Sequence, residues 1–235
     1  MKSINIGKII IKMNIKQASY LFQSIFLIGI GIYLLLTQQK DMVGAVGMNG
    51  VLGYIVTVIS VLYFNLIASN LVMTVTMTEK TSKRMEYYLA NGIRIQDLFK
   101  GYSIGCFVLS ILPTFVILGA TIIIFKEKDI MPIIIYIFSI YPIYCISYIV
   151  LLNIIILTVK NLSLVRNILF ILNFVLLAGS SYVLNNIINI FIEYSISISG
   201  GLNLSILAIS GILLLIVAMN YKKLSNDTIV QSVND

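Results

Sequence analysis

Glu79-Lys80-Thr81-Ser82-Lys83-Arg84-Met85-Glu86-Tyr87-Tyr88-Leu89-Ala90-Asn91-Gly92-Ile93-Arg94 is a polar island between two long apolar runs, 51–77 and 101–125, neither of which contains Asp, Glu, Lys or Arg. About 20 apolar residues rising about 1.5 Å each are enough to cross a hydrocarbon core. Outward from the island, four more runs meet that length without a formal charge: 20–37, 131–158, 167–190 and 202–220. In lipid the backbone must satisfy its own hydrogen bonds, which a lone strand cannot do and a helix can. The expected fold class is therefore all-α, a polytopic membrane protein with six transmembrane helices. An N-terminal interfacial helix and a cytoplasmic coupling helix complete it.

Composition supports the same reading. Hydrophobic residues make up 59% of the 235 and charged residues 11%, and the mean hydropathy is +1.02. A soluble domain is about 45–50% apolar and about 25% charged. Heavy use of Ile, Asn, Tyr and Lys, with no Trp or His, reads as a codon bias towards A and T of the bacterial kind. Cys106 and Cys145 fall inside apolar runs and read as small fillers, not as a disulfide or metal pair. The start of the chain does not read as a cleavable signal peptide, because the first run is too long and no small-residue cleavage site follows it.

Basic residues set the expected orientation. With the amino terminus inside, the inner segments hold Lys2, Lys8, Lys12, Lys16, Lys80, Lys83, Arg84, Arg94, Lys100, Lys160, Arg166, Lys222 and Lys223, thirteen of the 16, against Lys40, Lys126 and Lys128 outside. This obeys the positive-inside rule and places both termini in the cytoplasm of a bacterial cell membrane. The net charge of +7 then faces anionic membrane lipid and gives no reason to expect nucleic acid.

The expected organisation is an interfacial helix over 1–19, a transmembrane domain over 20–220 and a cytoplasmic tail over 221–235. Lys8, Lys12 and Lys16 recur every four residues beside a broad apolar arc, the pattern of a helix lying in the interface with its lysines towards lipid phosphates. Pro113 and Pro142 sit inside spans, where each removes a hydrogen bond and is expected to kink its helix. The stretch 185–201 is too polar to span and too apolar to be a free loop, and is expected to re-enter the outer leaflet. Asn65, Asn70, Asn153 and Asn173 are the main amides in the spans. They suit interhelical hydrogen bonds, and a translocation path is the alternative use for them. Tyr54, Tyr63, Phe64, Tyr136, Tyr141, Tyr144 and Tyr148 form an aromatic set that suits an amphipathic or lipid-like cargo, and equally suits packing.

No span carries an ionisable group for coupling to an ion gradient. There is no phosphate-binding loop, no His-Glu-x-x-His pair and no paired carboxylate for hydrolysis. An enzyme acting alone is not expected. Uphill movement would draw its energy from another subunit.

The segment 78–100 is too short for a domain of its own. Good helix formers run from Lys83 to Ala90, with Met85, Tyr88 and Leu89 on one side, and Gly92 ends the helix. A second turn, 95–99, leads into the third span. Such a helix can seat apolar anchors in a partner's groove while its charges fix register.

At these residues the chain resembles the type-2 permeases of ATP-binding-cassette (ABC) transporters. Glu79, Thr81, Glu86, Tyr88-Leu89, Gly92, Arg94 and Lys100-Gly101 occupy the places of that family's motif. Gly92 stands where a turn proline is frequent, and the family's Gly-Lys entry to the third span is inverted here. The architecture of nearly the whole chain is similar. The resemblance implies a permease subunit that forms the translocation path, pairs with a second permease as a homodimer or heterodimer, and docks a separate nucleotide-binding ATPase subunit. Glu79, Lys83, Arg84, Glu86, Tyr88, Leu89 and Arg94 would carry that coupling. ATP and Mg would be bound by the partner subunit and no cofactor by this chain. Small bacterial permeases of this kind imply an exporter of amphipathic or antimicrobial peptides, lipid-like molecules or drugs. A non-transporting immunity or scaffold protein and a secondary carrier are the rival readings.

Overall fold

The computed structural model describes residues 2–17, 60–125, 134–175, 198–221 and 224–225, and those between 20 and 33 other than Gln23, Leu27 and Gly31. All secondary structure there is helical. The helices are α1 (Lys2–Ile15), α2 (Tyr20–Ile30), α3 (Ser60–Thr81), α4 (Arg84–Ala90), α5 (Ile95–Phe125), α6 (Tyr136–Thr158), α7 (Leu162–Val175) and α8 (Ile198–Tyr221). Four of them, α3, α5, α6 and α8, are long and apolar enough to cross a membrane. The chain is a multi-pass membrane protein.

Six spans were expected and four are described. The first and fifth correspond to α2 and α7, each shorter than a crossing within the described residues, and both expected spans continue beyond those residues. The outer connections 38–50 and 126–130, Pro132, most of the expected re-entrant stretch and most of the tail also lie outside them. The end of the re-entrant stretch is helical instead, since α8 begins at Ile198 and takes in Gly200, Gly201 and Asn203.

Helix ends shift for local reasons. Expected to stop at Met77, α3 continues to Thr81 through a π turn at Met73–Met77. Expected from Gly101, α5 begins at Ile95, with no separate turn before it. Arg94 O accepts the Asp97 and Leu98 amides and Asp97 lies in the first turn, where an acid suits the helix dipole. α7 begins at Leu162 because Asn161 caps it, its Oδ1 accepting the Leu164 amide at 3.1 Å.

α3 and α6 form the centre of the bundle and run parallel, joined by a polar ladder. From one end to the other, Ser60 Oγ meets the Tyr136 hydroxyl at 2.8 Å, Tyr144 donates to Asn65 Oδ1 at 2.8 Å, Ser69 Oγ meets the Tyr148 hydroxyl at 2.9 Å, and Thr76 donates to Asn153 Oδ1 at 2.7 Å. Between these rungs the Phe64 ring lies edge-on to Tyr141, Tyr144 and Tyr148, with centroids 6.0, 6.4 and 6.3 Å away. In lipid the hydrophobic effect gives little drive for helix pairing, so hydrogen bonds and close packing must supply it. The tyrosines of α6 are thus buried and hydrogen-bonded to α3.

Pro113 lies within the unbroken helix α5. It has no N–H, so the Leu109 carbonyl one turn earlier loses its helical donor. Tyr20 replaces it, its hydroxyl donating to Leu109 O at 2.8 Å. Tyr20→Phe should leave that buried carbonyl unsatisfied and cost about 1–3 kcal/mol. Loss of thermal stability in detergent relative to Tyr33→Phe, an exposed tyrosine, would measure it.

α1 lies against the first turns of α5 at very close range. A Cβ added at Gly101 would sit 2.7 Å from Ile6 Cβ, and one at Gly105 would sit 2.8 Å from Ile10 Cγ2. The Gly101-x-x-x-Gly105 spacing lets the two backbones approach. α1 is therefore clamped to the bundle through Ile6, Gly7 and Ile10. Ile4, Ile9, Met13 and Ile15 remain exposed beside the exposed Lys8, Lys12 and Lys16.

Candidate functional site

The site is the end of the bundle where α3 turns through α4 into α5. Tyr221 at the end of α8 packs on Phe99 with ring centroids 5.8 Å apart, so α8 finishes at the same end. The end of α6 is brought there by Lys80.

Lys80 is 1% exposed. Its Nζ donates to the carbonyls of Ile156 at 2.8 Å, Leu157 at 3.2 Å and Val159 at 2.8 Å. The last carbonyls of a helix have no partner within it and carry the negative end of the helix dipole. A lysine's three N–H donors match three such carbonyls. No carboxylate among the described residues forms an ion pair with it; the one ion pair described is Arg84–Glu79. Lys80 fastens the outgoing end of α3 to the outgoing end of α6. In sequence Lys80 reads only as an inner-face charge, a lysine one turn beyond an apolar run.

The turn into α4 passes through Lys83 at φ 57°, a left-handed conformation uncommon outside Gly, Asn and Asp. Beyond it Arg84 Nη1 donates to Glu79 Oε1 at 3.0 Å, with the side chains 57% and 16% exposed. The Tyr102 hydroxyl donates to Glu79 Oε2 at 3.4 Å. Glu79 thus links α3, α4 and α5.

α4 is one short helix with two distinct sides. Met85 is buried, Tyr88 and Leu89 are half-buried against the core, and Arg84, Tyr87, Ala90, Asn91 and Arg94 are exposed. Its end is a Schellman turn: Gly92 at φ 76° donates to Leu89 O at 3.0 Å and Ile93 to Tyr88 O at 3.1 Å. Gly92 stops the helix as its sequence position indicated. Glu86 is half-buried, and its Oε1 is enclosed without a hydrogen-bond partner among the described residues.

A groove of about 270 Å³ opens beside this corner, between α1, the π turn of α3, α4 and the start of α5. Ile10, Val75 and Leu98 belong to its apolar lining and Glu79, Arg84, Tyr88 and Tyr102 to its polar side.

Comparison with protein families, curated proteins and solved structures finds no match. The site therefore rests on its own geometry. Of the seven expected coupling residues, the structure brings Glu79 and Arg84 together as a pair. Tyr88 and Leu89 lie on the inward side of α4, Lys83 occupies the turn before it, and Glu86 and Arg94 sit on and just after it. The four amides are placed differently. Asn65 and Asn153 are rungs of the α3–α6 ladder, Asn70 is exposed, and Asn173 is buried on α7 with its Oδ1 unpaired among the described residues. None of the four lines the groove. Sequence reasoning missed Lys80, Tyr102 and the outward-facing Tyr87. Within the described residues no group of three or more His, Cys, Asp or Glu side chains could hold a metal.

Proposed function

We propose that this chain is the membrane-spanning permease subunit of an ATP-driven exporter of the ABC kind, and that α4 docks on a separate nucleotide-binding ATPase subunit. The observation that carries the reading is the construction of α4. It presents Tyr87, Asn91 and Arg94 outward, while Met85 and Gly92 fix its inner side and its end. Lys80 and Glu79 tie its base to α6 and α5. A push on that surface would reach α3, α5 and α6 through the hydrogen bonds of Lys80 and Glu79.

Chain connectivity supports six crossings. α3 and α6 both end at the α4 corner, as does α8, whose other end packs by Tyr136–Ile140. Under this reading the chain would cross back between α6 and α8, and likewise between α1 and α3. The basic corner would face the cytoplasm of a bacterial plasma membrane, with both termini inside. Among the described residues, Leu204, Leu207, Leu215 and Met219 of α8 are exposed, which suits pairing with a second permease subunit. ATP and Mg would be bound by the partner, and this chain would catalyse nothing itself. An amphipathic or antimicrobial peptide, a lipid-like molecule or a drug is the proposed cargo, from the resemblance alone.

Purification of the tagged chain from its native membrane tests the reading. A nucleotide-binding subunit should copurify, and transport in sealed vesicles should require ATP. Isolation without such a subunit would favour a scaffold or immunity protein. Transport driven by an ion gradient without ATP would favour a secondary carrier.

A further inference from the structure

We infer that the groove between α1, α3, α4 and α5 holds one acyl chain of an anionic phospholipid, with the lipid's phosphate at Arg84, Lys12 and Lys16. This goes beyond the proposed exporter role and stands whether or not an ATPase docks on α4.

The shape selects the class of occupant. At about 270 Å³ it is a small groove with a mainly apolar lining. It suits a thin apolar chain. Ile10, Val75 and Leu98 are buried in its lining, and Ile9 and Met13 border it with their side chains exposed. The π turn at Met73–Met77 shapes the α3 wall: Thr74 and Val75 line the groove while Thr76 reaches Asn153. Such turns add a residue to a helix and re-aim its side chains, often at functional positions.

Charge selects the headgroup. α1 has lysines at 8, 12 and 16 and no acid. Lys12 and Lys16 follow Ile9 and Met13 by three residues each and are therefore on neighbouring faces. Arg84 uses one N–H on Glu79 and is 57% exposed, leaving guanidinium donors for a phosphate oxygen. Glu79 is the acid in the lining, and its two oxygens already accept from Arg84 and Tyr102. The mouth is thus net positive beside an apolar slot, a pairing that fits an anionic lipid better than a zwitterionic one.

Native mass spectrometry of the full purified chain with added phosphatidylglycerol and phosphatidylcholine of identical acyl chains tests this. One phosphatidylglycerol per chain should be retained, with a preference of about five-fold or more over phosphatidylcholine. Met13→Trp and Ile9→Trp, which plug the groove from exposed positions, should abolish the stoichiometric adduct. Ile4→Trp, on the same helix but away from the groove, should not. Arg84→Gln should lower the headgroup preference while leaving some adduct. Inorganic phosphate alone should give none. Equal retention of the two lipids, an adduct unaffected by both plugs, or an adduct with inorganic phosphate would overturn the assignment. Should a plug variant aggregate, the Arg84→Gln preference decides: no change in it overturns the assignment, and a reduced preference supports it.

Discussion

Replacing Lys80 with Met is expected to lower the thermal midpoint of the purified protein by about 8 °C. The variant keeps the length of the side chain and removes the donors that serve Ile156, Leu157 and Val159. A buried carbonyl left unpaired costs about 1–3 kcal/mol. Release of a buried charge offsets part of that cost. A net loss of about 3 kcal/mol corresponds to about 8 °C in a chain of this size. Lys83→Met, three residues away and exposed, should shift the midpoint by no more than about 2 °C, as surface substitutions do. Equal midpoints for the two variants, read by size-exclusion after heating, would mean that Lys80 does not hold the end of α6.

The second large effect is expected at Tyr87. Its side chain is 68% exposed and its described ring contact is with its neighbour Tyr88, at 6.1 Å. It is the large aromatic that α4 turns outward. Interface energy concentrates in such anchors, where truncation costs about 2 kcal/mol or more. Tyr87→Ala should weaken binding of the nucleotide-binding subunit about 30-fold, with the thermal midpoint of the isolated chain unchanged. Leu89, singled out from sequence, is a less clean probe because it packs against the core and would report folding as well as docking. Full retention of the ATPase by Tyr87→Ala would remove α4 from the docking surface.

The membrane character and the long helices were legible because they rest on length and on the cost of unpaired backbone in lipid. Gly92 as the stop of α4 was legible for a local reason too, since a left-handed turn favours glycine. What could not be read depends on partners far apart in sequence. Nothing near Tyr20 indicates that Pro113 frees a carbonyl 89 positions from it. Lys80 reads as one more inner-face charge until Ile156 lies beside it. The α6 tyrosines alternate between a cargo wall and packing until Ser60, Asn65 and Ser69 are seen to meet them. The helix ends were misplaced at the same corner, because Glu79 and Lys80 mark a polar boundary in sequence while the helix runs on past them. Membership of one helix face was predictable; which neighbour covered that face was not.

The account turns on the α4 corner facing the cytoplasm. Cys106 and Cys145 are both fully buried, so a Tyr87→Cys variant carries a single accessible thiol among the described residues without further changes. Its reaction with a membrane-impermeant maleimide, compared in intact cells and in inverted vesicles, reads the side directly. With the chain expressed without the ATPase, the expected result is labelling in inverted vesicles and protection in intact cells. Labelling in intact cells would contradict it, since an exterior corner cannot receive force from a cytoplasmic ATPase.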